Sequence, residues 1–386
     1  MRMTAEKDHR KIVIINHTTT YLIIDMCNAF IEKFDKVVLI TGSVHEQGTP
    51  LHEDVDVHYI NKYVRSPARK KFWSYINATL QIYYLLITKY KKYEVFCISL
   101  PPTAYLLKII LPHKFNMLIW DVYPDVLKIA GIKESHPLFS TWSYLNKIAF
   151  RKADKVFTIG NKISELIANY ADRDKIKIIP LWSVFEENEK ISKSENIFLK
   201  KHGIEDKFIV QYSGNIGLTH NVEALVHLAD VMKGYDHILF QIIGKGDRVS
   251  FLKNLANEKN LRNCQFLPFQ SDEMFPYSLS AADLGVVILD KKTSKGSVPS
   301  KSYNLMSYGI PSLYIAEKDS ELYEYCQIYH HGECFTENEL EKTAEFVLQL
   351  SNDKELHQKY SENAEKAGQN YKKKNARKLV DLYLTD

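Results

Sequence analysis

The sequence is poor in cysteine, and its cysteines are not paired at the spacing of redox or zinc motifs. It has five cysteines, an odd number, and no Cys-x-x-Cys motif. Disulfide frameworks and zinc ribbons depend on such pairs, so the pattern favours a reducing compartment. Cys326, His330, His331 and Cys334 have the residue types of metal ligands. They pass from a predicted helix end into a strand, however, and four ligands so close in sequence seldom reach one tetrahedron across such a break.

Long apolar segments are also missing. No stretch reaches the roughly 20 apolar residues that a membrane-spanning helix requires. Residues 1–11 (MRMTAEKDHRK) carry no apolar core after their charges, which predicts that the chain has no signal peptide. The sequence contains no internal repeat, no low-complexity tract and no P-loop of the form Gly-x4-Gly-Lys-Ser/Thr. We therefore expect a cytoplasmic protein.

Charge is spread unevenly along the chain. Residues 1–180 contain 26 Lys and Arg against 17 Asp and Glu, a balance of +9, whereas the remainder contains 25 against 30, a balance of −5. A basic N-terminal half indicates that this half meets an anionic surface. The alternative is that the asymmetry only adjusts solubility, and composition does not distinguish the two. No nucleic-acid partner is predicted.

Short apolar segments alternate with helix-like segments throughout, as is typical of parallel sheets with helical crossovers. Together with the length of 386 residues, this alternation predicts an α/β chain of two Rossmann-like, doubly wound parallel-sheet domains that face a central cleft. The predicted divisions are 1–182 for the first domain, 183–201 for a charged linker, 202–360 for the second domain and 361–386 for a C-terminal helix that could pack back on the first domain.

Three loops with features of a phosphate site follow predicted strands of the second domain. Residues 214–217 (Gly-Asn-Ile-Gly) follow the strand 208–212, and residues 244–246 (Gly-Lys-Gly) repeat the arrangement one crossover later. Residues 299–301 (Pro-Ser-Lys) begin a predicted helix. Glycine lets the backbone approach a phosphate, and the C-terminal edge of a parallel sheet is where open α/β folds bind ligands. A phosphate-bearing ligand is therefore expected here.

The order of these motifs resembles glycosyltransferase family 4, and most closely its bacterial capsule and O-antigen branch. Trp120-Asp-Val-Tyr-Pro-Asp125 is a counterpart of a DxYPE-like segment in that branch. The resemblance is strong from about 208 to 316 and thin before 115. The other matching motifs are Ser213-Gly-Asn-Ile-Gly217, Ile242-Ile-Gly-Lys-Gly246, Phe266-Leu-Pro, Ser280-Ala-Ala-Asp283 and Pro299-Ser-Lys-x-Tyr-x5-Gly309-x-Pro311. The family has the GT-B fold and uses nucleotide-diphosphate sugars.

The resemblance implies roles for particular residues. Lys301 would be a catalytic cation that offsets the charge on the departing diphosphate. The alternative for Lys301 is a solvated lysine at a helix start. The donor diphosphate would contact Gly214, Asn215, Gly217, Ser300 and Lys301. The nucleoside would contact Gly244, Phe269, Gln270 and Asn304. A UDP-sugar is the expected donor substrate, with no cofactor and no metal.

Two departures from the family pattern stand out. The family commonly has a Glu-x7-Glu pair whose second Glu holds the ribose, and this chain has Gly296 and Asn304 at those positions. Asn hydrogen-bonds a hydroxyl without charge and therefore more weakly. A basic pair that often follows the glycine loop aligns with Asn215 and His220. These departures favour an alternative in which the chain is a non-catalytic partner of another transferase.

The acceptor side is expected in the first domain. Asp121 follows a predicted strand and precedes a proline turn, where a carboxylate could bind acceptor or sugar hydroxyls or transfer a proton. A turn or helix-cap role explains the same position equally well. Asp125 is expected to be a helix-start carboxylate, and His17, after the first strand, could contact the acceptor or sugar. Asp54 and Asp56 resemble a metal-binding DxD motif but are interpreted as a surface pair.

A predicted helix at 66–90 has an unusual charge pattern. Residues 72–88 carry no charge and are bracketed by Lys and Arg on both sides. Aromatic and leucine side chains flanked by cations are typical of a helix at an anionic bilayer surface. A buried crossover helix whose charged ends reach solvent explains the same pattern and is preferred for most of the segment.

These features together lead to one functional expectation. The chain is interpreted as a glycosyltransferase, hexosyl or N-acetylhexosaminyl, that is retaining and metal-independent as the resemblance implies. Its acceptor is expected to be a lipid-linked surface glycan, with the protein peripheral on the cytoplasmic face of the inner membrane. The alternatives are a non-catalytic GT-B partner protein and a nucleotide-sugar epimerase of the same fold.

Overall fold

A computed structural model describes residues 8–184, 190–217, 221–292, 294 and 296–385, apart from the side chains at 8, 129 and 130. The chain divides into two compact units. Unit 1 comprises Met1–Val184 and Lys373–Asp386, and unit 2 comprises Phe185–Lys372. The change of unit after Val184 lies two residues from the end predicted for the first domain, and part of the predicted linker, 185–189, lies outside the described residues.

Unit 1 is built on a parallel sheet of seven strands. The central strands are buried apolar runs with little alternation, because helices cover both faces of such a sheet, whereas the two edge strands are partly exposed. Their order across the sheet is β3-β2-β1-β4-β5-β6-β7. The strands are β1 (Asp8–Ile15), β2 (Phe34–Thr41), β3 (Val55–Tyr59), β4 (Glu94–Ile98), β5 (Phe115–Ile119), β6 (Val156–Thr158) and β7 (Ile176–Ile178).

Helices and short 3-10 turns connect these strands. The α-helices are α1 (Tyr21–Ile31), α2 (Ala68–Thr88), α3 (Pro137–Lys152) and α4 (Asn161–Ile167), and the 3-10 turns are Ala104–Ile109, Asp125–Ala130 and Arg173–Lys175. The segment Ala104–Ile109 forms a 3-10 turn rather than an α-helix. Helix α3 was not predicted, because only a few of its positions, such as Phe139, Ala149 and Phe150, are buried apolar ones. Among the described residues, no helix is long and apolar enough to cross a membrane.

The end of the chain belongs to unit 1. Helix α13 (Lys374–Leu384) packs on α1, and the Tyr383 ring lies 5.2 Å from Phe30 and 5.8 Å from Phe96. The Tyr383 hydroxyl donates to the Glu94 carboxylate at 2.8 Å. Residues 361–386 were predicted as one helix, but they contain the end of α12 (Lys354–Gly368) in unit 2 and the separate helix α13 in unit 1.

Unit 2 has a parallel sheet of six strands in the order β10-β9-β8-β11-β12-β13. The strands are β8 (Phe208–Asn215), β9 (Ile238–Lys245), β10 (Cys264–Leu267), β11 (Leu284–Ile288), β12 (Ser312–Ile315) and β13 (Gly332–Phe335). The helices other than α12 are α5 (Ile197–His202), α6 (Glu223–Val231), α7 (Val249–Glu258), α8 (Phe275–Ser280), α9 (Lys301–Ser307), α10 (Glu321–Tyr329) and α11 (Leu340–Asn352).

The position of α9 is fixed by close packing on the sheet. A Cβ added at Gly285 of β11 would lie 2.2 Å from Cδ2 of Leu305, so only glycine lets this leucine reach the strand. Tyr303, on the same helix, is fully buried, and its ring lies 4.7 Å from that of Tyr371. These contacts hold the first turn of α9 at the C-terminal edge of the sheet.

Candidate functional site

Strands β8 and β9 extend further than the sequence predicts. Gly214 pairs with Gly244 and Asn215 pairs with Lys245, so both glycine segments begin within the sheet rather than in the loops after it. Small residues at these positions let the two strands continue in register to their C-terminal ends. Residues 218–220 lie outside the described residues, and they include His220, which aligns with one member of the family's basic pair.

Lys301, the first residue of α9, lies directly against Gly214. A Cβ added at Gly214, whose φ is +151°, would be 2.3 Å from Cε and 2.5 Å from Nζ of Lys301. The Lys301 Nζ also lies 3.8 Å from the centroid of the Tyr212 ring, a cation–π contact. The Gly214 backbone, the Tyr212 ring and the Lys301 ammonium therefore meet at the C-terminal edge of the sheet. The cation makes this edge suited to a negatively charged group.

The electrostatic state of Lys301 follows from its surroundings. The side chain is partly open by surface area, but dense packing around the ammonium removes water and lowers the pKa of Lys301 to about 7. In the part of the chain that the structure describes, no carboxylate forms an ion pair with it. Since an anion would restore the charged form, the lysine is suited to binding a phosphate.

A cavity of about 250 Å³ opens beside this lysine within unit 2. Five residues predicted to bind the donor, namely Gly214, Phe269, Ser300, Lys301 and Asn304, line it together. The other lining residues are Gln211, Ser213, Phe275, Leu279, Val286 and Leu305. A mostly apolar cavity with a few polar groups is typical of small-molecule sites. Phe269 is 43% exposed, and Lys245 Nζ lies 5.6 Å from its ring centroid.

The remaining predicted donor residues lie near this cavity but do not line it. Gly244 is the strand partner of Gly214, and Tyr212 donates from its hydroxyl to the Asn215 carbonyl at 2.7 Å. The Asn215 side-chain Nδ2 lies over Gly217, 2.8 Å from the position of an added Cβ. Gln270 donates to the Pro268 carbonyl at 2.7 Å. The first two contacts lie within the sheet and the other two in the segments that follow the strands, and a ligand role for Gly244, Asn215, Gly217 and Gln270 stays a prediction.

A ladder of three glutamines beneath the cavity was missed in the sequence. Gln211 donates to Gln241 Oε1 at 2.9 Å and to the Ser278 carbonyl at 2.8 Å, and Gln241 donates to Gln265 Oε1 at 2.9 Å. The three residues share one register across β8, β9 and β10. The signal was available, because Gln211 and Gln241 each stand three residues before a glycine in otherwise apolar strands.

Asp121 lies in unit 1, just after β5. Its side chain is exposed to solvent, but many protein atoms surround it. The resulting loss of hydration raises the pKa of its carboxyl group, and the positive charge of Lys71 opposes this rise only in part. The following 3-10 turn is capped at Pro124 with no side-chain hydrogen bond, so Asp121 does not act as a cap there. Tyr123 stacks on Trp142 with ring centroids 5.4 Å apart.

The predictions for Asp125 and His17, which also lie in unit 1, have different outcomes. Asp125 accepts a hydrogen bond from the Tyr170 hydroxyl at 2.9 Å and pairs with Lys128 at 2.9 Å, as suits a carboxylate at the start of a turn. His17 does not present its ring to solvent: it is fully buried, and its Nε2 lies 2.8 Å from the Asn61 carbonyl. The ring packs against Tyr63 and Tyr75, which removes the surface that an acceptor would contact.

The cysteine and histidine cluster of unit 2 serves packing. His331 Nε2 lies 2.8 Å from the Tyr314 hydroxyl, and burial lowers the pKa of His331 to about 4. Cys334 donates to the Ala316 carbonyl at 3.8 Å. Across the described residues, no group of three His, Cys, Asp or Glu side chains could hold a metal ion.

Comparisons with known proteins bear on this site. Residues 194–367 match the family model described as "Glycosyl transferases group 1". The chain is 25% identical over 206 residues to WcaI of Escherichia coli (strain K12), described as a colanic acid biosynthesis glycosyl transferase, covering 53% of this chain and 50% of that protein.

A second relative comes from Caldicellulosiruptor saccharolyticus. It is named UDP-N-acetylglucosamine--N-acetylmuramyl-(pentapeptide) pyrophosphoryl-undecaprenol N-acetylglucosamine transferase, and it is 30% identical over 215 residues, covering 52% of this chain and 53% of that protein. The chain thus spans about half the length of the curated relatives it matches.

Solved structures are similar to this protein over nearly the whole chain. Anabaena Alr3699/HepE in complex with UDP aligns with a TM-score of 0.72 at 12% identity, covering 97% of this chain and 99% of that one. Such low identity supports the fold alone. Two Rossmann-like units with parallel sheets of seven and six strands agree with this match. The chain therefore has the GT-B fold, and its residues 194–367 match the glycosyl transferases group 1 family.

Proposed function

We propose that the protein is a glycosyltransferase that moves a sugar from a nucleotide-diphosphate sugar to a glycan acceptor. The observation that carries the proposal is the position of Lys301, whose Nζ lies against Gly214 in a cavity shared with Ser300 and Asn304. Glycosyl transfer releases a diphosphate that gains negative charge as its bond to the sugar breaks. A preorganised cation in a poorly hydrated site stabilises that charge strongly.

The transfer step assigns separate tasks to the two units. The bond between the anomeric carbon and the diphosphate oxygen breaks, the acceptor oxygen bonds to that carbon, and the acceptor hydroxyl loses its proton. Lys301 in unit 2 would stabilise the diphosphate, with Ser300 and Asn304 as further polar contacts. Asp121 in unit 1 would hold the acceptor or take its proton, a role that suits a carboxyl group with a raised pKa.

A UDP-sugar is the proposed donor. The HepE structure contains UDP, and the Caldicellulosiruptor relative is named for a UDP-N-acetylglucosamine substrate. A hexosyl or N-acetylhexosaminyl group is the proposed cargo. Phe269 is exposed at the cavity and offers a ring face for a nucleoside base. Retention of anomeric configuration and transfer without a metal are further parts of the proposal, taken from the resemblance to family 4.

A lipid-linked acceptor for a surface glycan is proposed on two grounds. The two curated relatives are named for colanic acid biosynthesis and for a pyrophosphoryl-undecaprenol substrate. The first 180 residues of this chain also carry a net charge of +9. A basic surface suits a substrate held at an anionic membrane, which agrees with a peripheral position on its cytoplasmic face.

The competing functions are a non-catalytic partner protein and an epimerase. Asn304 in place of the expected Glu favours the former. The test is calorimetric titration with UDP, GDP and their sugars, followed by a transfer assay with a lipid-diphosphate acceptor. A transferase binds nucleotide and forms product. Nucleotide binding with release of a free epimerised sugar favours the epimerase, and absence of nucleotide binding favours the partner protein.

A matched pair of variants sharpens this test. Lys301→Met keeps most of the length of the side chain and removes the cation, while Lys200→Met makes the same change at an exposed position of helix α5. Loss of binding and transfer in the first variant alone supports the proposed site. Equal activity in both would contradict the role of Lys301.

A further inference from the structure

Helix α2 of unit 1 buries one face and presents a second apolar face to solvent. The buried side chains are Ser74, Tyr75, Ala78, Ile82, Leu85 and Leu86. On the other side, large apolar side chains remain between 37% and 64% exposed, and these are Phe72, Trp73, Leu80, Tyr84 and Ile87. Positions 73, 80, 84 and 87 are spaced by seven, four and three residues, which places them in one stripe along the helix.

Charge around this stripe is of one sign. Residues 57–93 contain eight Lys and Arg and no Asp or Glu. The exposed cations stand at the two ends of the helix, with Arg69 and Lys70 before the stripe and Lys89, Lys91 and Lys92 after it. Within the described residues, none of these five forms an ion pair with a carboxylate. Their charge is therefore available to a partner.

The stripe itself is unlike a solvated helix surface. Charged residues make up 25% of the chain, so a 17-residue stretch of average composition would hold about four, yet residues 72–88 hold none. Exposed aromatic and aliphatic groups gain free energy by leaving water, and cations at both ends gain by meeting phosphate. A bilayer surface offers both at once, with aromatic rings at headgroup depth and anionic phosphates beside them.

We propose that this face of α2, defined by Phe72, Trp73, Leu80, Tyr84 and Ile87 with the flanking cations, docks on a bilayer surface rich in anionic phospholipid. The helix lies along the surface, with its stripe among the headgroups and its ends paired with phosphates. This inference goes beyond the proposed transfer reaction, because vesicle binding requires neither a nucleotide nor Lys301.

One cation at the end of the docking face acts on the acceptor-side carboxylate of unit 1. Lys71, one residue before the stripe, lies over the Tyr75 ring at 5.8 Å, and its charge acts on the carboxyl group of Asp121. A lipid-borne acceptor at this end of α2 would therefore have its headgroup near Asp121. This last step rests on the proposed function, whereas the docking itself does not.

Vesicle co-sedimentation of the full chain tests the docking. Vesicles with about one third phosphatidylglycerol should bind the protein far better than phosphatidylcholine vesicles, and salt should weaken the binding. Neutralising two cations in Arg69→Gln/Lys70→Gln should lower the partition coefficient about thirtyfold. The matched control, Lys200→Gln/Lys201→Gln, removes the same charge from exposed positions on α5 and should bind as the parent does. Equal loss in both variants would overturn the proposal.

Trp73 provides a direct reading of the stripe. Lipids brominated in the acyl chain should quench its fluorescence, and Trp73→Phe should abolish most of that quenching while vesicle binding persists. If the parent protein binds the vesicles but its fluorescence is not quenched, another surface of the protein contacts the membrane and the proposal is wrong. If vesicles are not bound and a dimer is observed that Trp73→Ser dissociates, a second copy of the chain covers the face, and the proposal is wrong.

Discussion

The Nζ of Lys301 lies 3.8 Å from the centroid of the Tyr212 ring. This contact joins the first residue of α9 to the end of β8, across the point where Gly214 leaves no side chain in the way. The ring face gives the ammonium a weak partner that replaces part of its lost hydration. It leaves the charge uncompensated, so that an entering anion finds a cation already in position.

The first prediction concerns the effect of Lys301 on the stability of the ligand-free protein. Burial of an ammonium without a carboxylate partner opposes folding, so Lys301→Met should raise the free energy of unfolding by about 1–2 kcal/mol near pH 7. The same variant should bind a UDP-sugar about 10–100 times more weakly, because a charged hydrogen bond to phosphate is lost. Thermal unfolding with and without ligand measures both effects. A variant that is less stable and equally able to bind would contradict this.

The second prediction is the pH dependence of donor binding. The pKa of Lys301 is lowered to about 7, and a bound diphosphate should raise it. Affinity for a UDP-sugar should therefore be full below pH 7 and fall by up to tenfold per pH unit above it, until the pKa of the complex is reached. A UDP-sugar serves as the probe because its diphosphate does not titrate in this range. A flat profile between pH 7 and 9 would rule out this role for the lysine.

The same lowered pKa has a consequence for stability. The unfolded chain, with an ordinary lysine pKa of 10.5, binds more protons than the folded chain between pH 7 and 10.5. The contribution of Lys301 to the free energy of unfolding therefore rises with pH across this window. Comparing the parent and Lys301→Met over these pH values isolates that slope, which the variant should lack.

The sequence alone predicted that Gly214, Ser300, Lys301 and Asn304 lie together, because parallel strands end at the same edge of a sheet and the loops after them converge. In the structure these four residues line one cavity. It was not sufficient for Tyr212, since a contact between a ring and an ammonium depends on the rotamers of both side chains. His17 was expected to contact the acceptor or sugar because of its place after a strand. Its burial by Tyr63 and Tyr75 comes from elements distant in sequence.

The third prediction tests the close approach at Gly214. A methyl group there would collide with the Lys301 side chain, and the φ of +151° strains any other residue. Gly214→Ala should lower the free energy of unfolding by about 1–3 kcal/mol and weaken donor binding at least tenfold. Gly234→Ala is the matched control, because no heavy atom lies within 4 Å of its added Cβ. Similar behaviour of the two variants would argue against a crowded contact at Gly214.

The fourth prediction concerns Asn304, which lines the cavity three residues after Lys301. In the resembled family a Glu at this position holds the ribose, and a charged acceptor forms a stronger hydrogen bond to a hydroxyl than an amide does. Asn304→Glu should therefore strengthen binding of UDP about fivefold, as measured by calorimetric titration.

Asn304→Asp is the control for that variant, because it adds the same charge on a shorter side chain that should not reach the ribose. Both variants also remove the same side-chain amide, and both place a carboxylate near Lys301. A gain for Glu alone assigns the effect to a hydrogen bond with the ligand. An equal gain for Asp would instead reflect charge on the neighbouring ammonium. Weaker binding by Asn304→Glu would mean that this chain holds its ligand in a different way from the family it resembles.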